Sequence, residues 1–316
     1  MAKVNWGILG NAAIARNQMM PALTRASNAQ LYAIASRSPV PDDVAPGAKR
    51  YSSYDELLSD PAVEAVYIPL PNALHCLWAV RAAEKGKNVL CEKPIAMNEK
   101  EALAMFEAAQ KAGTLLMEAF MYRYSKKVAA VLDVVSSGKI GQIRGIHAHH
   151  GYTLSWDSPA RQDPSLGGGS LYDVGCYAVS GVSLMLAAQG AQVEDGSASF
   201  KMDGGYDQRA AAWLRFTNGA LGSVESWFDA HSDQRMLIEG EKGIIEIPRF
   251  FSGAADAFSV FSSAGEEKIE VPASDLFVLE VENFSKAVRG EEAFLIPREE
   301  TLKNMKTLDL LHSFRK

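Results

Sequence analysis

The sequence has few of the features that mark membrane, secreted or metal-binding proteins. Only three cysteines occur in 316 residues, and Cys76, Cys91 and Cys176 show neither metal-ligand spacing nor a disulfide pattern. No run of apolar residues approaches the roughly 18 that span a bilayer, and the N-terminus has no signal-peptide pattern. We therefore expect a cytoplasmic protein with reduced thiols, no membrane partner and no bound metal.

The chain also has fewer basic than acidic residues. The chain carries 32 lysines and arginines against 38 aspartates and glutamates, which gives a formal net charge of −6. Binding to DNA or RNA needs a basic surface, so this balance argues against a nucleic-acid partner. It is compatible with a local basic pocket for a small phosphorylated molecule.

The first 120 residues alternate between two patterns. Short apolar runs of the kind that form buried strands are separated by stretches in which apolar residues have helical spacing. The strand-like runs are VNWGIL, LYAIAS, AVYIPL, KNVLC and TLLMEA. This alternation predicts parallel βαβ units, and hence an N-terminal doubly wound Rossmann domain over residues 1–121. Pro21 is expected to break the first helix and restart it.

From about Ile143 the pattern changes to hairpins. The segments RAAAWLRFTNGALGSVESWF and RMLIEGEKGIIEI each indicate two strands joined by a turn, at Asn218–Gly219 and near Glu241–Gly243. Helical patterns follow near 275–289 and 298–314. We predict an α+β domain over residues 122–316 with a large, mainly antiparallel open sheet. Its exposed face would serve for self-association as a homodimer or homotetramer.

A turn after the first strand is a candidate phosphate site. In the dinucleotide fingerprint, glycines let the chain turn tightly and bring backbone amides close to a pyrophosphate at a helix N-terminus. Gly10 fits the first glycine position, whereas Ala12 and Ala15 stand at the second and third. We expect Ala13 and Ile14, in the same turn, to contact the cofactor as well. The alternative is a tight βα turn without a ligand.

The end of the second strand indicates which dinucleotide binds. An Asp or Glu usually meets a free ribose 2′-hydroxyl at this place, but the chain has Ser36 and Arg37. A guanidinium matches a phosphate in geometry and charge, and a serine adds a hydroxyl donor. The pair predicts NADP, with NAD as the second choice. An ordinary surface arginine is the alternative.

The motif CEKP places Glu92 and Lys93 at the end of a predicted buried strand, before Pro94. Ligands of open α/β sheets bind beyond the carboxyl ends of the strands, so Lys93 is expected at the cofactor cleft. The alternative is a solvated loop lysine that pairs with Glu92.

Four motifs together resemble the Gfo/Idh/MocA oxidoreductase family. They are YIPLPNALH, GKNVLCEKP, MEAFMYR and GGGSLYDVGCY, in the order that this family shows and over nearly the whole chain. The resemblance implies hydride transfer between a nicotinamide cofactor and a hydroxyl-bearing carbon, commonly in a sugar or polyol. It also implies an active-site role for Lys93, and ribose or nicotinamide contacts for Pro71, Asn72 and His75.

The segment after three consecutive glycines carries two further candidates, Asp173 and Tyr177. Four residues apart, they share one face if the segment is helical. Many members of the family have histidine where this chain has Tyr177, and the tyrosine resembles the branch of glucose–fructose oxidoreductase and dihydrodiol dehydrogenase. Our hypothesis assigns Tyr177 as acid/base, Lys93 as its electrostatic partner and Asp173 as the holder of a substrate hydroxyl. The alternative makes Tyr177 a core residue and Asp173 a helix-start acid.

The charge of Lys93 is large enough for this role. A tyrosine has an ordinary pKa of about 10, and bringing it to about 7–8 requires roughly 3–4 kcal/mol. One ammonium at about 4 Å supplies about 4 kcal/mol at an effective dielectric of about 20.

Weaker candidates each have a structural alternative. His75 could instead cap or pack the helix that begins there. Arg123 and Arg161 are candidate charge partners for cofactor or substrate, and Trp156 is a candidate lining residue of the substrate pocket, but all three residue types also serve packing. The run HAHH at 147–150 lacks a third ligand at recognisable spacing, so we expect sheet surface or cleft lining there and not a metal site.

These features predict an NADP-dependent dehydrogenase or reductase that acts on a sugar or a related polyol or cyclic diol. The alternative of another class is a non-catalytic dinucleotide-sensing protein, which would not need Lys93, Asp173 and Tyr177 together. An oxidoreductase that retains its cofactor and couples two sugars is a further alternative. It is disfavoured because the first strand begins at about residue 4 and leaves no N-terminal arm.

Overall fold

The computed structural model describes residues 2–37, 40–41, 45–155 and 159–315. They form two compact units, the first made of Met1–Met121 and Asp275–Leu302 and the second of Tyr122–Ser274 and Lys303–Lys316. The division predicted from the sequence had placed 275–302 with the C-terminal domain. The segment belongs to the first unit because the Trp6 indole donates to Ser285 at 3.0 Å and the Phe284 ring lies 5.4 Å from that of Trp6. The functional assignment of the two domains stays a prediction.

The first unit contains the predicted Rossmann sheet. Within the described residues it has six strands in the order β3-β2-β1-β4-β5-β6, and every neighbouring pair is parallel. This is the doubly wound order of dinucleotide-binding folds, so the predicted fold class is confirmed. The strands are β1 (Val4–Leu9), β2 (Ala29–Ala35), β3 (Lys49–Tyr51), β4 (Ala65–Ile68), β5 (Asn88–Glu92) and β6 (Leu116–Ala119).

Helices follow the strands where the sequence contains start and stop signals. Asn98 accepts a hydrogen bond from the backbone of Glu101 at 2.9 Å, and Gly113 ends the same helix with φ of +69°. The α-helices of the first unit, with the one that continues into the second unit, are α1 (Met20–Arg25), α2 (Tyr54–Ser59), α3 (His75–Glu84), α4 (Glu99–Ala112), α8 (Leu276–Val288) and α9 (Arg298–His312).

The first helix differs from its prediction at Pro21. Helical structure runs without interruption from Ala13 through Arg25, with a π-helical turn at Ala15–Met19. A proline has no N–H to donate, and it clashes with the carbonyl four residues earlier in a regular α-helix. Pro21 stands within the first two positions of α1, directly after the wider turn, so the helix expands there and does not break.

The second unit contains the predicted open sheet. Its eight strands in the described part of the chain have the order β14-β13-β12-β11-β7-β10-β9-β8, and all neighbours are antiparallel except β7 and β10. The two predicted hairpins are confirmed as β9–β10 and β11–β12. The strands are β7 (Ile143–Gly151), β8 (Val193–Asp203), β9 (Tyr206–Phe216), β10 (Leu221–Trp227), β11 (Asp233–Gly240), β12 (Gly243–Ile247), β13 (Asp256–Ser262) and β14 (Gly265–Val271).

One helix supplies the core of the second unit. α7 (Cys176–Ala187) packs against β7 and β10, with ten of its twelve residues buried. The segment Pro164–Ala187 is apolar and long enough to cross a membrane, which the search for unbroken apolar runs had not shown. Because 78% of its apolar window is buried inside the protein, the composition reflects a core helix. The other α-helices of this unit are α5 (Lys126–Ser136) and α6 (Pro159–Gln162).

Candidate active site

Most of the predicted cofactor residues lie at one edge of the first sheet. Because β1, β2, β4 and β5 are parallel, their carboxyl ends meet at the same edge. The sequence therefore brings together the loops that follow these four strands. The predicted residues at the strand ends or in the segments that follow them are Gly10, Ala12, Ala13, Ile14, Ser36, Arg37, Pro71, Asn72, Glu92 and Lys93.

The turn after β1 has the shape of a phosphate cradle. Gly10 has φ of +108°, and a Cβ added to it would meet Leu70 at 3.0 Å. The backbone N–H of Arg16 donates to Ala12 at 3.1 Å, so the first helical hydrogen bonds begin within the turn. The side-chain oxygen of Asn11 is buried and has no hydrogen-bond partner in the described part of the chain. A tight turn, a helix N-terminus and an unsatisfied buried polar atom fit a bound dinucleotide.

Ser36 and Arg37, the residues predicted to select the dinucleotide, directly follow β2 at this edge. Ser36 is half-buried directly after β2, and its backbone N–H donates to Tyr51 at 3.3 Å. Arg37 is exposed at the same edge. A solvent-facing guanidinium can receive a 2′-phosphate without first losing a buried partner.

The turn after β5 carries Lys93. The lysine is half-buried, Pro94 is fully enclosed, and the Lys93–Pro94 peptide bond is cis. The Glu92 carboxylate accepts a hydrogen bond from the Tyr67 hydroxyl and a second one, at 3.3 Å, from the backbone of Lys93. These contacts give Glu92 partners within the sheet edge itself, and the partial burial of Lys93 differs from a freely solvated loop lysine.

His75 is a buried residue of the same edge. Its side chain has 0% exposure, with Nδ1 at 3.0 Å from the Pro94 carbonyl and Nε2 at 2.7 Å from the Leu70 carbonyl. Burial lowers the pKa of His75 to about 4, so the ring is neutral at ordinary pH. Of the two interpretations left open by the sequence, the structure favours packing over direct contact with a cofactor.

Two of the three glycines at 167–169 are explained by close packing in the second unit, and Gly167 has a positive φ of 81°. A Cβ on Gly168 would stand 2.6 Å from the Arg161 carbonyl, and one on Gly169 would stand 2.0 Å from the Asp207 carboxylate. Asp207 is 2% exposed and accepts the backbone N–H of Leu171 at 2.7 Å. It thereby holds the start of the helical segment that carries Asp173 and Tyr177.

Asp173 lies in a π-helical turn, Leu171–Gly175, that leads into α7. Its carboxylate accepts hydrogen bonds from the Tyr152 hydroxyl at 2.6 Å and from Arg161 Nε at 2.9 Å. Burial and the charge of Asp173 raise the pKa of Tyr152, which therefore stays a neutral donor. The structure thus brings Arg161 to Asp173, two candidates that the sequence did not link. π-Helical turns are frequent at functional sites, and a second one, Ala15–Met19, follows the Gly10 turn.

Tyr177 follows in α7, as the predicted helical spacing requires, and is 8% exposed. Its ring contacts three aromatic side chains of the same unit, with centroid distances of 5.3 Å to His150, 5.5 Å to Phe251 and 5.9 Å to Tyr122. These aromatic neighbours restrict the ring of Tyr177, so its hydroxyl has a defined position.

The remaining candidates are spread over the second unit. Arg123 is half-buried in a 3₁₀ turn, Met121–Tyr124, and Trp156 lies outside the described residues. His147 contacts Ser223 at 2.7 Å and His149 contacts Asp233 at 3.2 Å, both on the sheet. No cluster of metal-ligating side chains occurs within the described ranges.

Sequence reasoning missed the residues that hold the candidates in place. Tyr67, Tyr152 and Asp207 act on partners that are 21 to 36 positions away in the chain, and no local pattern marks them. Glu118 did leave a signal, because a single acid within the apolar strand TLLMEA is unusual and must find a partner when buried.

Comparison with known proteins identifies relatives over the whole chain. The profile of an oxidoreductase family with an NAD-binding Rossmann fold, GFO_IDH_MocA, matches residues 4–120. The profile of the GFO/IDH/MocA C-terminal domain matches residues 128–246. Together the two matches cover most of both units.

Three relatives illustrate the range. D-xylose 1-dehydrogenase (NADP(+)) 2 of Haloferax volcanii is 35% identical over 317 residues, which cover 97% of this chain and 96% of the relative. Trans-1,2-dihydrobenzene-1,2-diol dehydrogenase of Xenopus laevis is 33% identical over 71% of this chain and 66% of its own length. The crystal structure of KijD10, a 3-ketoreductase from Actinomadura kijaniata in complex with NADP and TDP-benzene, superimposes with a TM-score of 0.90. It is 27% identical and covers 98% of this chain and 97% of its own.

Proposed function

The chain belongs to the Gfo/Idh/MocA oxidoreductase family, and on this premise we propose that it transfers a hydride between NADP and a sugar or a related polyol or cyclic diol. The observation that carries the proposal is the set of loops at the carboxyl edge of the first sheet. There the tight turn at Gly10, the exposed Arg37 and the half-buried Lys93 follow β1, β2 and β5. This is the edge at which open α/β sheets bind their ligands.

Each group has a separate task in the proposed reaction. The bound nicotinamide would supply the hydride acceptor or donor. The Gly10 turn holds the pyrophosphate and Arg37 holds the 2′-phosphate. Tyr177 exchanges the proton of the reacting hydroxyl, and Lys93 supplies the positive charge that favours its ionised form. Asp173 orients a substrate hydroxyl, and Arg161 and Tyr152 keep its carboxylate in position.

The substrate we infer first is a neutral aldose. The Haloferax volcanii relative that matches 97% of this chain is named for D-xylose, and cyclic diols and a TDP-linked compound appear in the names of other relatives. Formation of NADPH from NADP⁺, measured with a panel of aldoses, cyclic diols and TDP-sugars, tests whether aldoses are the preferred substrates. Tight NADPH binding without turnover on any of them would favour a dinucleotide sensor instead.

Arg37→Ala tests the cofactor assignment. We expect the variant to weaken NADPH binding by roughly 1.5–3 kcal/mol, as for the loss of a charge-assisted hydrogen bond, and to leave NADH binding unchanged. Fluorescence titration with both dinucleotides measures this. Arg25→Ala, which removes an exposed guanidinium paired with Asp275 in the same unit, is the matched control. Equal loss for NADPH and NADH, or none for either, would contradict the role of Arg37.

Self-association is proposed to use the open face of the second sheet. Strand register places Trp213, Leu221 and Ile244 on this face, where they are 58%, 52% and 38% exposed. Large apolar side chains grouped on one exposed face mark a contact surface. We expect light scattering to give a dimer or tetramer that Trp213→Glu dissociates, and a monomeric parent protein would contradict the proposal. We also expect the protein in the cytoplasm.

A further inference from the structure

Glu118 is a buried acid with a specific backbone partner. It lies in β6, is 1% exposed, and accepts the N–H of Ile95 at 3.0 Å through Oε1. Ile95 itself is fully buried. The hydrogen bond joins β6 to the turn that follows the neighbouring strand, β5.

The other side of the same peptide unit lies against His75. The carbonyl of Pro94 and the N–H of Ile95 belong to one planar group. His75 Nδ1 lies 3.0 Å from that carbonyl, while Glu118 faces the N–H. In the sheet order, β5 lies between β4 and β6, so His75, which follows β4, and Glu118, which lies in β6, flank the strand that Lys93 directly follows. The peptide unit begins one residue after Lys93.

Burial makes the Glu118 contact necessary for the conformation of the turn. The Ile95 N–H has no access to water, and a buried donor without an acceptor is destabilised by about 1–3 kcal/mol. Without the carboxyl oxygen, the turn must rotate to find another acceptor, and such a rotation moves Pro94 and the adjoining Lys93. Side chains that react need this kind of support from a second layer of contacts.

We propose that Glu118 is a positioning residue that fixes Lys93 through the Ile95 N–H. The inference rests on the proposed function for the role of Lys93 in turnover. Glu118 does not touch the substrate or cofactor in this proposal. It acts by holding one peptide group, so an uncharged side chain with an oxygen at the same place should replace it.

The test compares side chains that keep or lose this oxygen. Glu118→Gln retains a carbonyl acceptor, Glu118→Met has a similar length without one, and Glu118→Asp withdraws the acceptor by one methylene group. We expect the Met and Asp variants to lower kcat by on the order of 100-fold, as for a misplacement of about 1 Å, with little change in the Kd of NADPH. Glu118→Gln should stay near the parent protein. If the Met variant does not fold, the Asp variant carries the same expectation.

A control separates positioning from general loss of stability. Ser285→Ala removes another buried hydrogen bond of the same unit, the one that Trp6 donates, and should lower stability without lowering kcat. Parental kcat in the Met or Asp variants, or an equal loss in Glu118→Gln, would overturn the proposal.

A second readout does not depend on turnover. The rate at which Lys93 reacts with an amine-acylating reagent, followed by peptide mass spectrometry, reports its surroundings directly. We expect a changed rate at Lys93 in the Met and Asp variants, and parental rates in the Gln variant and in Ser285→Ala. If the parent protein oxidises no sugar but the labelling follows this pattern, the proposed function has failed and the positioning role stands. Unchanged labelling in all variants would refute the positioning role.

Discussion

Replacing Tyr177 by phenylalanine is expected to lower kcat by on the order of 100- to 10,000-fold, the usual contribution of general acid–base catalysis. The substitution keeps the ring and its contacts with His150 and Phe251 and removes only the hydroxyl. The Kd of NADPH should stay within a few-fold of the parent value, because the Gly10 turn and Arg37, which the proposal assigns to the cofactor, lie in the first unit. Single-turnover measurements with a sugar that the parent protein oxidises would determine the effect on the chemical step.

Tyr122→Phe is the matched control for this experiment. The Tyr122 ring belongs to the same aromatic cluster as Tyr177, and its hydroxyl shares a 2.7 Å hydrogen bond with Ser180. Its loss removes a buried hydrogen bond and should lower the free energy of unfolding by about 1 kcal/mol. It should leave kcat close to the parent value. Similar kcat losses in Tyr122→Phe and Tyr177→Phe would assign the effect to packing.

A double-mutant cycle tests whether Lys93 acts through Tyr177. If the lysine charge serves to ionise the tyrosine, Lys93→Met loses its effect once the hydroxyl is absent. The double variant should then be about as slow as Tyr177→Phe alone, since residues that act as a unit are not additive. Full additivity of the two losses would mean that Lys93 has another role.

The sequence predicted those parts of the molecule that follow from local periodicity. The carboxyl ends of parallel strands lie at the same edge of a sheet. Gly10, Arg37 and Lys93 each follow a different strand, and this was enough to predict that they lie at one edge. The helical segment that carries Asp173 and Tyr177 was only a condition of the sequence argument, and the structure supplies it as the turn Leu171–Gly175 and α7. β14 was not predicted, because the edge strand GEEKIEV is mostly charged, as edge strands often are, and lacks the pattern of a half-buried strand. β13 was missed although DAFSVFS does alternate, with Phe258 and Val260 buried.

What the sequence could not supply are contacts between distant residues. The partners of Asp173 and the carboxylate that fills the space beside Gly169 depend on how strands and loops pack in three dimensions. His75 shows the limit most clearly. Its motif suggested a ligand contact, but its ring is enclosed between two backbone carbonyls. Sequence alone cannot distinguish a histidine that supports a site from one that forms it.

The pH dependence of stability should change when Glu118 is replaced by glutamine. Burial raises the pKa of Glu118 from 4.5 to about 8, so the folded protein binds a proton that the unfolded chain releases between these values. The contribution of this proton to the free energy of unfolding is complete below pH 4.5 and is lost as the pH rises through about 8. The free energy of unfolding falls by about 1.4 kcal/mol per pH unit in this range, or roughly 5 kcal/mol in all.

His75 has the opposite sign and limits the range in which the curve of the parent protein alone shows the Glu118 slope. Burial lowers the pKa of His75 from 6.5 to about 4, so its contribution is complete above pH 6.5 and is lost as the pH falls through about 4. Between pH 4.5 and 6.5 the two slopes oppose each other. From pH 6.5 to 8 the Glu118 slope is not offset by His75, and it should lower the free energy of unfolding by roughly 1.5 kcal/mol.

Urea unfolding at several pH values, compared between the parent protein and Glu118→Gln, measures this contribution. The comparison must be a difference, since burial also raises the pKa of Glu280 in the same unit, and that slope cancels between the two proteins. Glutamine resembles the protonated acid and keeps an acceptor for Ile95, so the variant should match the parent protein at low pH and gain on it as the pH rises. Parallel curves from pH 6.5 to 8 would mean that Glu118 is already ionised in the folded protein. The hydrogen bond to Ile95 would then be charge-assisted, and glutamine would weaken it at every pH in that range.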